Sequence, residues 1–308
     1  MEESKQKIVY TYLRGALGNQ MFVYAAARAA QIRYYGQEGR ILIGWEKYKK
    51  ENLKDLLKEF KLCPNVEFVP NFALPARLEA FRKLCGFTYR FCKTPMEIYN
   101  QSLRMRKIAQ ANGVIRCEDG YIPLPEKVPN QILMDAYFQS ERYFPDMEDV
   151  LRRDFSLNHE LLESSKELIQ QMRQSDSVCI TIRRGDYIGN PVHDVCTKAY
   201  FLSAIERMKN THKNCRFFLS SDNVIDAVKW LGLEANEFVI EPGEATAAEK
   251  IEVFKHCKHF ILANSTFSWW AQYLSNAQNK TTIAPSKWFK KKNIPCDIYQ
   301  KDWSIIDV

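Results

Sequence analysis

Short apolar runs rich in β-branched residues alternate with stretches of helical spacing along most of this 308-residue chain. That alternation leaves few folds open. Residues 8–13 read as a strand, and Met21, Phe22, Ala25, Ala26, Ala29 and Ala30 follow at helical spacing. Residues 40–43 read as a second strand and 131–138 as a third, with a helix expected from Pro145 to Asp154. In the second half, strands are expected at 178–182, 216–219, 238–240, 260–262 and 281–283. Helices fall between them at 161–172, 200–209, 225–231 and 249–256, and one more ends at Leu274. Strands separated by helices in this order build parallel sheets. The length is comfortable for two domains. The polar stretch 156–160 places the boundary so that 1–157 and 158–308 form separate α/β domains.

The ends of three second-half strands carry polar clusters. The first strand runs into Arg183, Arg184, Gly185 and Asp186, the second into Ser220, Ser221, Asp222 and Asn223, and the third into Asn264, Ser265, Thr266 and Ser268. Ligands of open α/β sheets bind at the carboxyl ends of strands, so the clusters converge if these strands are neighbours. Arginine offers a permanently charged, planar fork for a phosphate. Asp222 can accept from a ribose hydroxyl or a guanine N–H, and the hydroxyl run sits where a helix start would add an anion site. A surface Arg–Asp pair capping a turn is the plainer reading of Arg183 and Asp186. In the first half, Gly15 and Gly18 open the helix after the first strand, with Asn19 and Gln20 beside them. The G-x-x-G spacing is not a dinucleotide fingerprint and is also what a tight strand-to-helix turn requires.

Net charge is +7 and the pI about 8.8, which favours anionic partners without choosing one. The nine cysteines are scattered and lack a C-x-x-C pair, as expected of free thiols. The polar start and the lack of a long apolar run point to a cytoplasmic protein. Residues 46–112 are the hardest to read. Leu53, Leu56, Leu57 and Phe60 have helical spacing, and Pro64, Pro70 and Pro75 then break the pattern. The basic stretch 77–107, with Phe81, Phe87, Tyr89, Phe91 and Tyr99 interleaved, suits nucleic acid or an acidic membrane surface. An amphipathic face covered by the stems of its own basic side chains is the favoured account. No RNA-binding motif is present. No Asp-x-Asp triplet occurs to hold a sugar nucleotide through Mg²⁺, and His256, Cys257 and His259 lack the second pair of a zinc site.

Residues 15–22 (Gly-Ala-Leu-Gly-Asn-Gln-Met-Phe), 182–187 (Ile-Arg-Arg-Gly-Asp-Tyr), Ser221-Asp222 and 264–270 (Asn-Ser-Thr-Phe-Ser-Trp-Trp) stand in the order seen in α-1,2-fucosyltransferases of glycosyltransferase family 11. The stretches 137–144 and 284–289 also resemble that family, of the soluble bacterial type. The resemblance implies a GT-B fold, with two Rossmann-like domains facing across a cleft. It implies GDP-β-L-fucose as co-substrate, no metal or other cofactor, and inversion at the fucose C1. The acceptor is then the 2-hydroxyl of a galactose-terminated glycan. Arg183 is expected to stabilise the leaving diphosphate and Asp186 to be base or orienter. Arg184, Ser221, Asp222, Asn264, Ser265, Thr266, Ser268, Gly15, Gly18, Asn19 and Gln20 are expected to line the donor site. The family's histidine two residues before the first arginine is Thr181 here, and its second acid after Ser221 is Asn223. The alternatives are another GDP-sugar transferase, such as an α-1,6-fucosyltransferase, and a non-catalytic nucleotide- or RNA-binding module. No nucleic-acid partner is expected of the enzyme, and the stretch 77–107 offers peripheral contact with the inner membrane.

Overall fold

Two parallel sheets organise the chain, each within its own unit. The computed structural model describes residues 6–45, 56–232, 234–241, 245–291 and 293–308. The first unit comprises Met1–Phe155 and Asn293–Tyr299. Its central strand β1 (Ile8–Tyr12) is buried at every residue because both edges and both faces are covered. On one side lie β2 (Arg40–Gly44) and β3 (Val66–Phe68), and on the other β5 (Gln131–Met134) and β4 (Val114–Ile115). All pairings are parallel, with Ile8 opposite both Arg40 and Gln131.

The alanine-rich segment after the glycine turn forms α1 (Leu17–Tyr35). Its burial extends around most of its circumference, as expected of a helix set inside a unit. It carries three buried polar groups, Gln20, Arg28 and Gln31. Arg28 Nε pairs with Asp154 at 3.0 Å, and Tyr24 Oη donates to the same carboxylate at 2.6 Å. These bonds tie α1 to the end of α4 (Glu148–Asp154). Strand β5 stops at Met134, short of the expected Phe138, because Asp135 turns its carboxylate to two arginines and Phe138 adopts a φ of 55°. Similarly, α4 begins three residues after Pro145, past a left-handed Asp146. The basic stretch forms two paired helices, α2 (Ala76–Tyr89) and α3 (Pro95–Ala111). Their inner residues Leu78, Phe81, Cys85 and Ala109 pack with Tyr10, Tyr12, Val114 and Leu133 of the sheet. Of the helical spacing expected over 51–60, residues 51–55 lie outside the described residues, and a short 3₁₀ turn, Leu57–Glu59, follows.

The second unit comprises Ser156–Lys292 and Gln300–Val308. Residues 293–299, which a single division at 157 assigns to the second domain, therefore belong with the first. Asp297 accepts from the Tyr121 backbone N–H at 2.8 Å and pairs with Arg142 at 3.1 Å. The second sheet runs β11 (Ser304–Ile306), β10 (Thr282–Pro285), β9 (His259–Ile261), β6 (Asp176–Ile182), β7 (Cys215–Ser221), β8 (Phe238–Ile240). Between them run α5 (Glu163–Gln174), α6 (Lys198–Thr211), α7 (Val224–Leu231), α8 (Ala247–Phe254) and α9 (Thr266–Tyr273). Val178, Ile180 and Ile182 of β6 pack on Tyr200, Phe201, Ala204 and Met208 of α6. From β6 the chain moves outward to β7 and β8, then returns to the other side of β6 as β9. That reversal is a topological switch point, where the crossovers to either side leave a crevice at the carboxyl ends of the strands.

All nine cysteines are free thiols. Among the described residues no helix is long and apolar enough to cross a membrane.

Candidate active site

The switch point brings the three polar clusters together. Strands β9, β6 and β7 are neighbours, with Ile180 opposite both Ile261 and Leu219, so their ends lie at one sheet edge. A cavity of about 260 Å³ opens there, close to the lower size for small-molecule sites. Of the residues expected at the donor site, Arg183, Ser221, Asp222, Ser265 and Ser268 line it. Thr181, Ile182, Ser220, Ala245, Ala247, Lys250 and Phe267 line it as well and were not foreseen as donor-site residues. Neighbours of a marked strand end could have suggested the first three. Ala245, Ala247 and Lys250 come from a loop and the helix start after β8, which carry no local signal.

Helix α9 supplies one wall of the cavity. Trp269, Trp270 and Tyr273 are buried, and Trp269 stacks on Tyr273 at 4.6 Å. Large buried aromatics of this kind are worth about 3–5 kcal/mol each by truncation, enough to fix the helix. Its N-cap Ser265 makes no side-chain capping bond. The first-turn N–H groups, which have no intrahelical acceptor, therefore remain available to a ligand at the positive end of the helix dipole.

The loop after β6 is held from below by Asp222. Its carboxylate accepts the backbone N–H of Arg184 at 3.0 Å and of Gly185 at 2.7 Å, and faces Arg183 Nε at 3.4 Å. Burial works to raise its pKa, but the two N–H bonds and the Arg183 guanidinium prevail and hold it below the usual carboxylate range. Asp222 is thus committed first to shaping the arginine loop. Ser221 Oγ donates to the same carboxylate at 3.3 Å, so both of its oxygens are engaged within the loop even as the residue lines the cavity. Arg183 Nε also pairs with Asp186 at 2.8 Å, and the Asp186 side chain is 64% exposed. Thr181, which stands in place of the expected histidine, is buried. Its hydroxyl donates to Ile261 O and accepts from Ala263 N–H, knitting the ends of β6 and β9. Asn223 caps α7 by accepting from Asp226 N–H at 3.1 Å, a task for which Asn and Asp are about equally good.

Other expected donor residues are placed elsewhere. Arg184 turns away from the cavity to pair with Asp226 at 2.8 Å and to lie over Trp230 at 4.2 Å. Asn264 is buried and its amide donates to His193 O at 3.0 Å and Trp288 O at 2.9 Å, so it braces loops beneath the cavity. Thr266 opens α9 but does not line the cavity. Gly15, Gly18, Asn19 and Gln20 sit at the β1–α1 turn of the first unit. Gly15 has a φ of 60°, and a side chain there would meet Asn19. Gln20 is fully buried, donating to Gly15 O and accepting from Leu56 N–H, each at 3.1 Å. Asn19 accepts from Gln139 at 2.8 Å. Gln20 is therefore framework, because both ends of its amide are already used.

A second polar group, unmarked by the sequence reading, gathers at the strand ends of the first unit. Arg14 after β1 and Arg116 after β4 share Asp135 at 2.6 and 3.1 Å, and both reach Glu118. Burial and the neighbouring Glu118 push the Asp119 carboxyl up to about 6. Arg14 directly follows the apolar run 8–13, the same signal that singled out Arg183.

Of His256, Cys257 and His259, weighed above for zinc, His259 alone joins a potential ligand cluster among the described residues, with Asp176 and His212. Thr281 N–H donates to His259 Nδ1 at 3.1 Å, so the proton lies on Nε2, which donates to Asp176 at 3.2 Å. A metal-binding imidazole presents a bare nitrogen and donates from the other. The trio is set up the opposite way.

With this geometry established, comparison with known proteins identifies the class. Residues 122–307 match Glycosyl transferase family 11, and the chain belongs to that family. It is 29% identical over 313 aligned positions to an α-1,2-colitosyltransferase of Escherichia coli, covering 94% of this chain and 96% of the relative. It is 26% identical to the E. coli O-antigen biosynthesis glycosyltransferase WbnK, covering 92% and 96%. In fold it is similar to the NodZ α-1,6-fucosyltransferase soaked with GDP-fucose, with a TM-score of 0.51 at 16% identity over 88% of this chain and 93% of that one. The two Rossmann-like units are thus those of a GT-B glycosyltransferase.

Proposed function

We propose that this glycosyltransferase moves L-fucose from GDP-β-L-fucose to the 2-hydroxyl of a terminal galactoside, with inversion and without a metal. The observation that carries the reading is the convergence of Arg183, Ser265, Ser268 and the start of α9 on one cavity at the sheet's switch point. The acceptor oxygen attacks C1, the bond from C1 to the β-phosphate oxygen breaks, and its electron pair stays on the departing GDP. Arg183 and the α9 N–H groups are fixed donors for that growing charge, the task a metal performs elsewhere. Asp222 and Asp186 hold the guanidinium in place. Exposed and bonded to Arg183, Asp186 suits this positioning role better than that of base. The acceptor proton passes to water or to a carboxylate other than Asp186.

A second reading follows from the 29% identical relative: the donor sugar is colitose, which lacks the 3-hydroxyl of fucose. A site that hydrogen-bonds a hydroxyl rejects the analogue lacking it far more strongly than an apolar site rejects the reverse. Initial rates with GDP-fucose and GDP-colitose on a panel of β-galactosides, in EDTA, with the product linkage assigned by NMR, decide the matter. A large preference for GDP-colitose replaces the fucosyl reading. Transfer that requires Mg²⁺ or Mn²⁺ removes the metal-free mechanism.

A further inference from the structure

The exposed surface of the α2–α3 hairpin has an unusual composition. Leu84, Phe87, Phe91, Met96 and Ile108 are all exposed, Phe91 by 73% and Phe87 by 54%, and the two phenylalanines touch edge to face at 5.4 Å. These five are half of the exposed large apolar residues among the described ones, gathered in 25 residues of sequence. The inner residues Leu78, Phe81, Cys85 and Ala109 already satisfy the sheet, so the outer set is not needed for the core. The same stretch carries Arg77, Lys83, Arg90, Lys93, Arg104 and Lys107, all exposed, with Lys83 paired to Glu79 at 3.5 Å. The one exposed acid on the two helices, Glu97, bonds to the Lys93 backbone N–H at the start of α3. Basic stems lying over apolar surface would shield Phe87 and Phe91, and the exposures show that they do not.

We infer that the α2–α3 hairpin docks this enzyme on an anionic phospholipid surface. Apolar side chains enter the boundary between headgroups and acyl chains while a basic rim meets the lipid phosphates, the pattern of interfacial anchors. Charge complementarity selects this occupant. A second copy of the hairpin would bring six like charges against six. RNA would use the charges and the phenylalanines but not Leu84, Met96 and Ile108, on which bases do not stack. The inference is independent of the donor and acceptor assigned above.

The test is flotation of the full chain with vesicles of phosphatidylcholine alone and of phosphatidylcholine with an equal share of phosphatidylglycerol. At low salt the protein should partition onto the anionic vesicles at least about tenfold more than onto the neutral ones, and added salt should erode the difference. The variants Phe87→Ser/Phe91→Ser and Lys83→Glu/Arg90→Glu/Lys93→Glu should each lose at least about tenfold of that binding. All five positions are exposed, so both variants should keep the wild-type melting temperature, which separates lost docking from misfolding. Absence of anionic-vesicle binding overturns the proposal, as does binding untouched by both variants. A dimer in sedimentation that Phe91→Ser dissolves, or an RNA oligonucleotide held more tightly than the vesicles, overturns it in favour of the other occupants.

Discussion

Replacing Gly185 by alanine probes whether Asp222 shapes the arginine loop. An alanine Cβ would stand 2.6 Å from Asp222 Oδ2, whereas ordinary contact begins at 3.4 Å. The carboxylate must retreat by about 0.8 Å, which carries the 2.7 Å bond from Gly185 N–H to the limit of hydrogen bonding. A charge-assisted bond of this kind contributes about 1.5–3 kcal/mol. The Asp222 side chain is 18% exposed, so water recovers part of the loss and the lower end applies, about 1.5–2 kcal/mol. Calorimetry should record a melting temperature lower by roughly 3–8 °C. If the loop also aims Arg183, GDP affinity measured by titration calorimetry should fall about tenfold or somewhat more. The decisive comparison is a double-mutant cycle with Asp222→Ala, in which the obstructing carboxylate is gone and Gly185→Ala should cost little further. Equal costs with and without the carboxylate would refute the steric argument and place the glycine's role in the backbone itself.

Asp186→Asn keeps an acceptor for Arg183 and should lower kcat less than about tenfold, since an exposed pair contributes at most about 1 kcal/mol. A fall of 10² or more, roughly what loss of a general base produces, would return Asp186 to that role. Asn264→Ala strands two carbonyls and should destabilise the protein by about 2–4 kcal/mol in chemical denaturation; a neutral result would mean that water replaces the amide. Asp119 has its folded pKa raised to about 6 from 3.8, so the folded state binds the extra proton between those values and stability falls as pH rises through them. Asp119→Asn should therefore raise the melting temperature at pH 7.5, and the gain should vanish below about pH 4. A gain independent of pH would contradict the raised pKa.

The sequence carried the second unit's strand ends well. Buried parallel strands are near-continuous apolar runs, and the residue that follows each run is where such a sheet is open. That Arg183, Asp222 and Ser265 meet depends on β9 lying next to β6, and no local pattern encodes strand order. Asn264 shows a different limit. Residue type marked it as a ligand group, but its amide is spent on His193 and Trp288, a choice set by loops far away in sequence. The short strands β3, β4 and β11 left no readable period, having two or three residues each. In the first unit, the meeting of Arg14 with Asp135 spans 121 positions, a pairing no spacing rule reaches.

The return of residues 293–299 to the first unit has a bearing on how the protein is made. A chain emerging from the ribosome presents Tyr121 and Arg142 long before Asp297, the group that accepts from both. Synthesis at about 5–20 residues per second separates the two events by on the order of ten seconds. During that interval the first sheet can form, but the loop around Tyr121 has no acceptor for its backbone N–H from this segment. The earlier unit in sequence is thus the one whose completion waits for the later unit to be translated. A fragment ending at Phe155 would hold the arrested intermediate, open to study by hydrogen exchange at Tyr121.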